Sequence, residues 1–334
     1  MKKTVLSLTL AASVLALGAC SSAEDKALVT SKVGDISVAD FNETAKSLVG
    51  PAVLKQMVAE KVLADKYKVT DKDIQEKYDF YVEAFGGEEN LKAGLVQEGL
   101  TMEMFKSDIL QLEILQDKAL QDKAIKEEDV KKRYEQMKTE LNGRHILVAD
   151  EATAKEVIAK IKGGASFADV AKEYSSDPGS AAQGGELGWF PAGTMVEEFN
   201  DAAYALELNT LSEPVQSSVG YHVIEITEKR DVKDIGSFED EEEAIRQSML
   251  EKLKQTSEAQ LLLQDIIAKL TKEADFKTTD KDLEQALKSL SVTSEEAAAA
   301  AEKEAKEAAE KAEKDAKKAE EEADKEADTE TEAK

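Results

Sequence analysis

The spacing of apolar residues changes twice along this chain, and these changes constrain the fold more than any other feature. Over residues 38–140 apolar side chains recur at helical spacing, as in Val58 and Val62. Over 144–230 short strand-like runs alternate with short helical ones, and after Phe238 the helical spacing returns until Leu290. Neither helical flank carries enough apolar residues for a core of its own. The pattern therefore predicts an α+β chain in which two helical flanks pack together and a mixed domain is inserted between them.

Local signals place the elements within these segments. Thr70 with Asp73, and Thr101 before Met102, are typical helix N-caps, and 27–38 has the pattern of a small hairpin. In the mixed segment we expect strands or helices over 145–148, 151–162, 167–174, 186–190, 196–206, 212–217 and 221–227.

The N-terminus has the features of an export signal. Lys2 and Lys3 precede an apolar run over 5–19, which is shorter than the roughly 20 residues that span a bilayer. The run ends at Cys20, the only cysteine, and the string LGAC resembles a bacterial lipoprotein signal. That resemblance implies cleavage before Cys20 and lipidation of its thiol. An ordinary signal peptide, or a buried structural cysteine, is the alternative.

The charge excludes one class of function. The 334 residues carry a formal net charge of -26, whereas a protein that binds nucleic acid needs clustered Lys and Arg. About a third of this net charge lies in 291–334, which holds 16 Asp and Glu against 8 Lys and is otherwise mostly Ala. Residues 295–334 have no aromatic or large aliphatic side chain to bury, so the tail is expected to be disordered to partly helical, and its Glu and Lys neighbours allow a single solvated helix.

Six strings in the mixed segment carry a family resemblance. They are RHILV at 144–148, GASFADVA at 164–171, YSSD at 174–177, GGELGWF at 184–190, Met195 with Phe199, and GYHVI at 220–224. In this order they resemble the parvulin family of prolyl isomerases. Together with the signal and the helical flanks, the whole chain resembles the PrsA-type foldase lipoproteins of Gram-positive bacteria.

The resemblance implies an antiparallel sheet with surrounding helices and a set of site residues. His145 and His222, the chain's two histidines, match a pair on adjacent strands, and Asp177 matches a position that holds Cys or Asp in the family. These three are the expected catalytic residues. The expected substrate-binding residues are Leu187, Phe190, Met195, Phe199, Ser217 and Tyr221. Val196 and Val219 stand where some members carry polar residues, so no donor to the substrate is assigned to them.

The implied reaction is rotation about the amide bond before proline. Its barrier of roughly 18–20 kcal/mol comes from amide resonance, which is lost in the twisted state. An apolar, water-excluding pocket holds that state better than water does, so no cofactor, metal or covalent step is expected. We expect His145 and His222 to form a neutral hydrogen-bonded pair, with Asp177 shaping the field around the carbonyl.

Other interpretations of the same residues were weighed. Met195 and Phe199, four residues apart, would ordinarily be a helix core pair. Two histidines with Asp177 could ligate a metal, although the closely spaced ligand pairs of metal sites are absent from the sequence. A serine hydrolase is disfavoured because the sequence has no Gly-x-Ser-x-Gly string.

The sequence thus predicts a foldase with ATP-independent chaperone activity, lipid-anchored at the extracellular face of the cell membrane. Its expected partners are unfolded or partly folded exported proteins, and a holding chaperone with an inactive parvulin insert is the alternative. The oligomeric state stays open, a homodimer being one option. The expected domains are the signal peptide 1–20, a helical chaperone lobe 21–139, the parvulin domain 140–232, the second part of the lobe 233–290, and the tail 291–334.

Overall fold

The computed structural model describes residues 26–331, so the expected signal peptide and Cys20 lie outside the described residues. By backbone contacts the described chain forms two units, which we call the helical unit (26–123 and 253–331) and the isomerase unit (124–252). The second unit is wider at both ends than the expected limits 140–232. One helical domain built from both flanks, with a mixed domain inserted, is the architecture that the sequence predicts.

The first part of the helical unit opens with a hairpin and continues as helices. A capping box joins Ser37 and Asp40 at the first helix, and another joins Thr70 and Asp73 at the second. The predicted caps at Thr70 and Thr101 are confirmed. The elements are β1 (Ala27–Val29), β2 (Ile36–Ser37), α1 (Val38–Lys66), α2 (Asp71–Ala84), α3 (Glu88–Gln97), α4 (Met102–Met104) and, after a π-helical turn Phe105–Leu110, α5 (Gln111–Ala124).

The isomerase unit contains a four-stranded antiparallel sheet in the order β4-β3-β6-β5. Its elements are α6 (Glu127–Met137), β3 (Thr139–Val148), α7 (Glu151–Lys162), α8 (Phe167–Tyr174), β4 (Glu186–Phe190), α9 (Glu197–Ala205), β5 (Val215–Ser217), β6 (Gly220–Asp231) and α10 (Phe238–Lys254), whose last two residues belong to the helical unit. The two central strands are longer than predicted, because their polar outer ends pair with each other. β5 is shorter than predicted, since Pro214 has no N–H to donate to a ladder.

The two faces of this sheet bury different apolar clusters, as alternation along a strand requires. One face, with Ile146 and Val223, packs against α7 and α8. The other face, with Ile224 and Ile226, packs against Phe190 and Phe199. Functional side chains on the central strands are therefore divided between two environments.

The helical unit is completed by α11 (Ser257–Ala274), α12 (Lys281–Leu290) and α13 (Ser294–Thr331). Val62 and Leu115 from the first flank share a core with Ile266 and Leu287 from the second. This mixing confirms that the flanks pack together, and it explains why neither flank has a sufficient apolar pattern alone.

The tail is expected from sequence to be disordered to partly helical. Over its described length it is one helix, α13. Asp265 caps its start by accepting from the Ser294 N–H, and Glu302 pairs with Lys306 four residues on. Alanine-rich helical propensity and such pairs hold a helix without a buried face. Among helices of residues 26–331, none combines the length and apolarity needed to cross a bilayer.

Candidate active site

The two histidines come together at the centre of the sheet. His145 on β3 pairs with Ile224 on β6, and His222 pairs with Leu147, so both rings point to the same face. Their Nδ1 atoms are 3.2 Å apart, and the rings are 5.5 Å apart and nearly parallel. His145 is 6% exposed and His222 4%. Both polar rings therefore require partners inside the protein.

Asp177 is the partner of His145. Its Oδ2 lies 3.0 Å from His145 Nε2 and also accepts a hydrogen bond from the Ser180 hydroxyl. The backbone N–H of Gly179 donates to Oδ1 at 3.1 Å. The loop after α8 thus holds the carboxylate against the histidine pair.

Ser217 is the partner of His222, with its Oγ 2.8 Å from His222 Nε2. An ionised Asp177 only accepts, so its contact assigns a proton to His145 Nε2 and leaves His145 Nδ1 as an acceptor. His222 Nδ1–H then donates to His145, and the Ser217 hydroxyl donates to His222 Nε2. We call these four residues the histidine network, and this order satisfies every nitrogen with both rings neutral.

The pKa values agree with this assignment. Burial, and next the neighbouring His145, lower the pKa of His222 to about 4, so its neutral form is favoured at neutral pH. Burial alone would raise the pKa of Asp177, but hydrogen bonds from Ser180, His145 and Gly179 outweigh it and bring the pKa to about 2. The network therefore carries one negative charge, at its Asp177 end.

An apolar wall stands against the histidine pair. The Phe199 ring meets the His145 and His222 rings edge to face, at 5.5 and 5.4 Å between centroids. Phe199 is 1% exposed and contacts the Phe190 ring at 6.1 Å. Half-buried Leu187 and Met195 pack against the same cluster. The structure thus brings these four predicted residues and the histidine network to one face of the sheet.

Tyr221 does not join them. It directly precedes His222 on β6, so its side chain points to the opposite face and packs with Ile146 and Val223. The structure therefore places Tyr221 apart from the other predicted site residues, and its substrate-binding role stays a prediction. Val196 and Val219 are exposed.

Several residues of the site were not predicted. Ser180, 2% exposed, donates to Asp177, and its position three residues after an aspartate was a usable local signal. Gly185 has φ +86°, and a Cβ there would lie 2.4 Å from the His145 carbonyl oxygen. The His145 N–H donates to the Gly185 carbonyl at 2.9 Å, so this glycine lets the loop approach the strand.

A metal was weighed as an alternative reason for the histidine pair. Within residues 26–331 the structure has no group of three or more His, Cys, Asp or Glu side chains arranged to hold a metal ion. The histidine nitrogens are instead in hydrogen-bond contact with Asp177, Ser217 and each other.

Comparison with known proteins agrees with the geometry. Residues 128–230 match the family model of the PPIC-type PPIase domain. Fold and site together define a parvulin-type peptidyl-prolyl isomerase. The foldase protein PrsA 4 of Bacillus cereus is 41% identical over 289 residues, which cover 86% of this chain and 98% of that protein. The foldase protein PrsA of Bacillus subtilis is 34% identical over 294 residues, 85% and 93% of the two chains. The chain belongs to the PrsA foldase family.

A solved structure extends the likeness to three dimensions. The 2.55 Å crystal structure of the peptidylprolyl isomerase PrsA from Bacillus cereus is 41% identical, with a TM-score of 0.52. The match covers 80% of this chain and 99% of that chain. Both flanks and the inserted domain are therefore shared with that protein.

Proposed function

We propose that this isomerase acts outside the cytoplasmic membrane, lipid-anchored through Cys20, on X-Pro bonds of exported proteins that are still unfolded. The observation that carries the proposal is the neutral histidine network beneath the wall of Phe199, Met195 and Leu187. An uncatalysed X-Pro bond takes tens to hundreds of seconds to isomerise, which is slow enough to limit folding.

In this proposal the apolar wall binds the proline ring. Twisting the amide removes its resonance and makes the carbonyl less polar. Leu187, Met195 and Phe199 offer an environment with little water, in which the less polar twisted amide is favoured over the planar one. The wall thereby lowers the barrier by binding, without forming a covalent bond.

The histidine network acts in the proposal as a fixed floor. Each group donates a hydrogen bond to the next in the order Ser217, His222, His145 and Asp177. Every ring nitrogen therefore keeps a fixed role as donor or acceptor during the reaction. The single charge, on Asp177, sets the field at the substrate carbonyl. Preorganised dipoles of this kind favour one charge distribution without a cost of reorganisation.

The test is a proline-limited refolding assay with the chain from Ser21 onward. His222→Ala and Met195→Ala should each lower the rate acceleration about 10-fold or more, since small displacements of a catalytic wall have large effects. Met249→Ala, a half-buried methionine on α10, is the matched control and should retain activity. A folded parent without acceleration would refute the proposed catalytic role of the site.

A groove in the helical unit favours a second activity, the holding of unfolded clients. It lies between α1 and α11, has a volume of about 800 Å³, and is lined by apolar Met57, Val62, Leu270 and Phe276. Charged side chains of both signs line the same groove, including Glu60, Lys61 and Glu273. An extended unfolded segment, with apolar and polar side chains alternating along it, fits such a lining.

Two variants of α1 separate this activity from isomerisation. Met57, 48% exposed, lines the groove, whereas Leu48, 77% exposed, lies outside it on the same helix. Met57→Lys should weaken suppression of client aggregation without added ATP, and Leu48→Lys should not. Equal suppression by both variants would exclude the groove as the binding surface.

The anchor is tested separately from both activities. Cys20→Ser should move the protein from the membrane fraction to the soluble fraction of an expressing Gram-positive cell, because the thiol that receives the lipid is gone. A variant that stays with the membrane would refute lipidation at Cys20.

A further inference from the structure

The segment 191–196, which carries Met195, lies between β4 and α9 and has no strand or helix to hold it. Its backbone is held instead by buried side chains. The Gly193 N–H donates to Asn200 Oδ1 at 2.9 Å, and Asn200 Nδ2 donates to Gln136 Oε1 on α6, also at 2.9 Å. Asn200 is 1% exposed, so its amide group is shielded from water and depends on these two hydrogen bonds.

The carbonyls of the same segment point to a lysine from a distant helix. Lys252 Nζ, on α10, donates to the Met195 carbonyl at 3.1 Å and also to the Gly193 carbonyl. A hydrogen bond from a charged donor is stronger than a neutral one. One side chain therefore binds the backbone of Met195 and of the residue two positions before it.

Arg133 closes the other side of the segment. A Cβ at Gly193, whose φ is +83°, would lie 2.5 Å from Arg133 Nη1, so only glycine fits there. Arg133 is 5% exposed and its Nη2 binds both carboxylate oxygens of Glu197 at 2.6 Å. Burial, and next the charge of Arg133, lower the pKa of Lys252, while Glu197 opposes this. The Gly193 and Met195 carbonyls and the Glu197 carboxylate thus attract Lys252, whereas the Arg133 cation repels it.

We propose that Lys252 is a positioning residue of the isomerase: it fixes Met195 in the apolar wall beside Phe199 by binding the Gly193 and Met195 carbonyls. The inference rests on the proposed assignment of Met195 to the proline-binding wall. Lys252 lies beyond the matched family domain, 128–230, and beyond the domain limits expected from sequence. The isomerase site therefore extends to a helix that the catalytic motifs do not include.

The size of the effect follows from how Met195 is held. Without Lys252 the two carbonyls would need other donors, and the segment could relax by about 1 Å, a displacement that can cost up to about 100-fold in rate. The remaining bond of Gly193 to Asn200 limits this relaxation, so we expect a loss of about 10-fold in kcat/KM.

The experiment uses the full chain after the signal peptide, labelled at methionine methyl groups. Lys252→Leu keeps the apolar stem and removes the donor, and Lys252→Arg restores a charged donor. Lys254→Leu is the control for a general loss of stability, because Lys254 ends the same helix but binds Glu113 and Asp117 and not the segment 191–196. Isomerase kcat/KM on an X-Pro peptide, the Met195 methyl resonance and the urea midpoint are measured for each variant.

We expect that only Lys252→Leu loses about 10-fold in kcat/KM and shifts the Met195 methyl resonance. The kcat/KM of Lys252→Arg should stay within about 2-fold of the parent value. Unchanged activity in Lys252→Leu, or an equal loss in Lys254→Leu, would overturn it while the proposed function stands. If Lys252→Leu does not fold, the same measurements are made on Lys252→Gln and Lys254→Gln, and the same two outcomes support or overturn the proposal. A folded but inactive parent would overturn both proposals.

Discussion

Both units bury a polar network, and the two networks differ in how their charge is balanced. In the helical unit, Lys77 lies 2.8 Å from Glu113 and 2.7 Å from Asp117. Lys254 lies 3.2 and 3.0 Å from the same two carboxylates. We call these four residues the charge cluster. In the histidine network of the isomerase unit, one carboxylate ends a series of neutral groups.

This difference in charge balance agrees with a structural role for the charge cluster and with the proposed functional role of the histidine network. In the charge cluster two cations face two anions, and the lysines lower the pKa of Glu113 although burial alone would raise it. Its field is cancelled locally, which suits an element that joins helices. The charge of Asp177 is not matched by a cation in the network. An uncancelled charge beside an apolar surface is typical of a site that acts on a ligand.

Removing one charge from the charge cluster should give the largest loss of stability. Asp117→Leu leaves two lysines facing one carboxylate, and the free energy of unfolding should fall by about 3 kcal/mol. Urea denaturation followed by circular dichroism measures it. Glu76→Leu, in an exposed pair with Lys72, is the control and should change little. A loss in Asp117→Leu no larger than in the control would mean that the cluster is not a structural element.

The histidine network should respond to acid in a defined window. Because the pKa of His222 is lowered to about 4, the unfolded chain binds a proton between pH 6.5 and 4 that the folded chain does not. Stability should therefore fall by about 3 kcal/mol as the pH falls through this window. Ring proton NMR checks it directly, since the chain has only two histidines. A His222 pKa near 6.5 would contradict the neutral network.

Neutralising Asp177 should also lower the stability of the protein, by less than the two changes above. The lowered pKa of Asp177, about 2, contributes about 2 kcal/mol of stability that is present above pH 3.8 and lost as the pH falls through 2. Asp177→Asn should therefore be less stable than the parent at pH 7, and the gap should narrow below pH 3.8. Asp169→Asn, exposed on α8, provides the control for urea denaturation at each pH. If the stability difference between Asp177→Asn and the parent does not change with pH, the lowered pKa of Asp177 is excluded as its cause.

The smallest effect is expected at the neutral end of the network. Ser217→Ala removes the donor to His222 Nε2 and should cost about 1 kcal/mol of stability. Nitrogen NMR of the ring should show His222 losing its single preferred tautomer. Ser218→Ala, exposed on the same turn, should leave the ring unchanged. A His222 ring unaffected in Ser217→Ala would remove Ser217 from the network.

The sequence predicted those parts of the site that lie in local motifs. His145, Asp177, Met195 and Phe199 stand within the short strings that carry the family resemblance, and the structure brings them to one face of the sheet. Tyr221 lies on the opposite face from the other predicted residues, because a motif gives neighbours in sequence, whereas the face of a strand depends on pairing across the sheet.

The remaining differences come from contacts between distant segments. Arg133 and Lys252 meet Gly193 from helices 60 and 59 residues away, and no local pattern encodes such a meeting. The outer ends of β3 and β6 are polar, so only their mutual pairing reveals them as strands. The tail forms a helix without burying an apolar face, because the high helix propensity of its Ala, Glu and Lys residues is sufficient.

The pairing of Thr139 with Asp231 has a consequence for where the chain enters and leaves the sheet. Residues directly opposite in antiparallel strands lie about 5 Å apart, so the sheet domain leaves the polypeptide almost where it entered. A two-residue turn could bridge that gap, and the loop-closure entropy would change little. The sheet therefore adds almost no separation between the chain that enters it from α6 and the chain that leaves it toward α10.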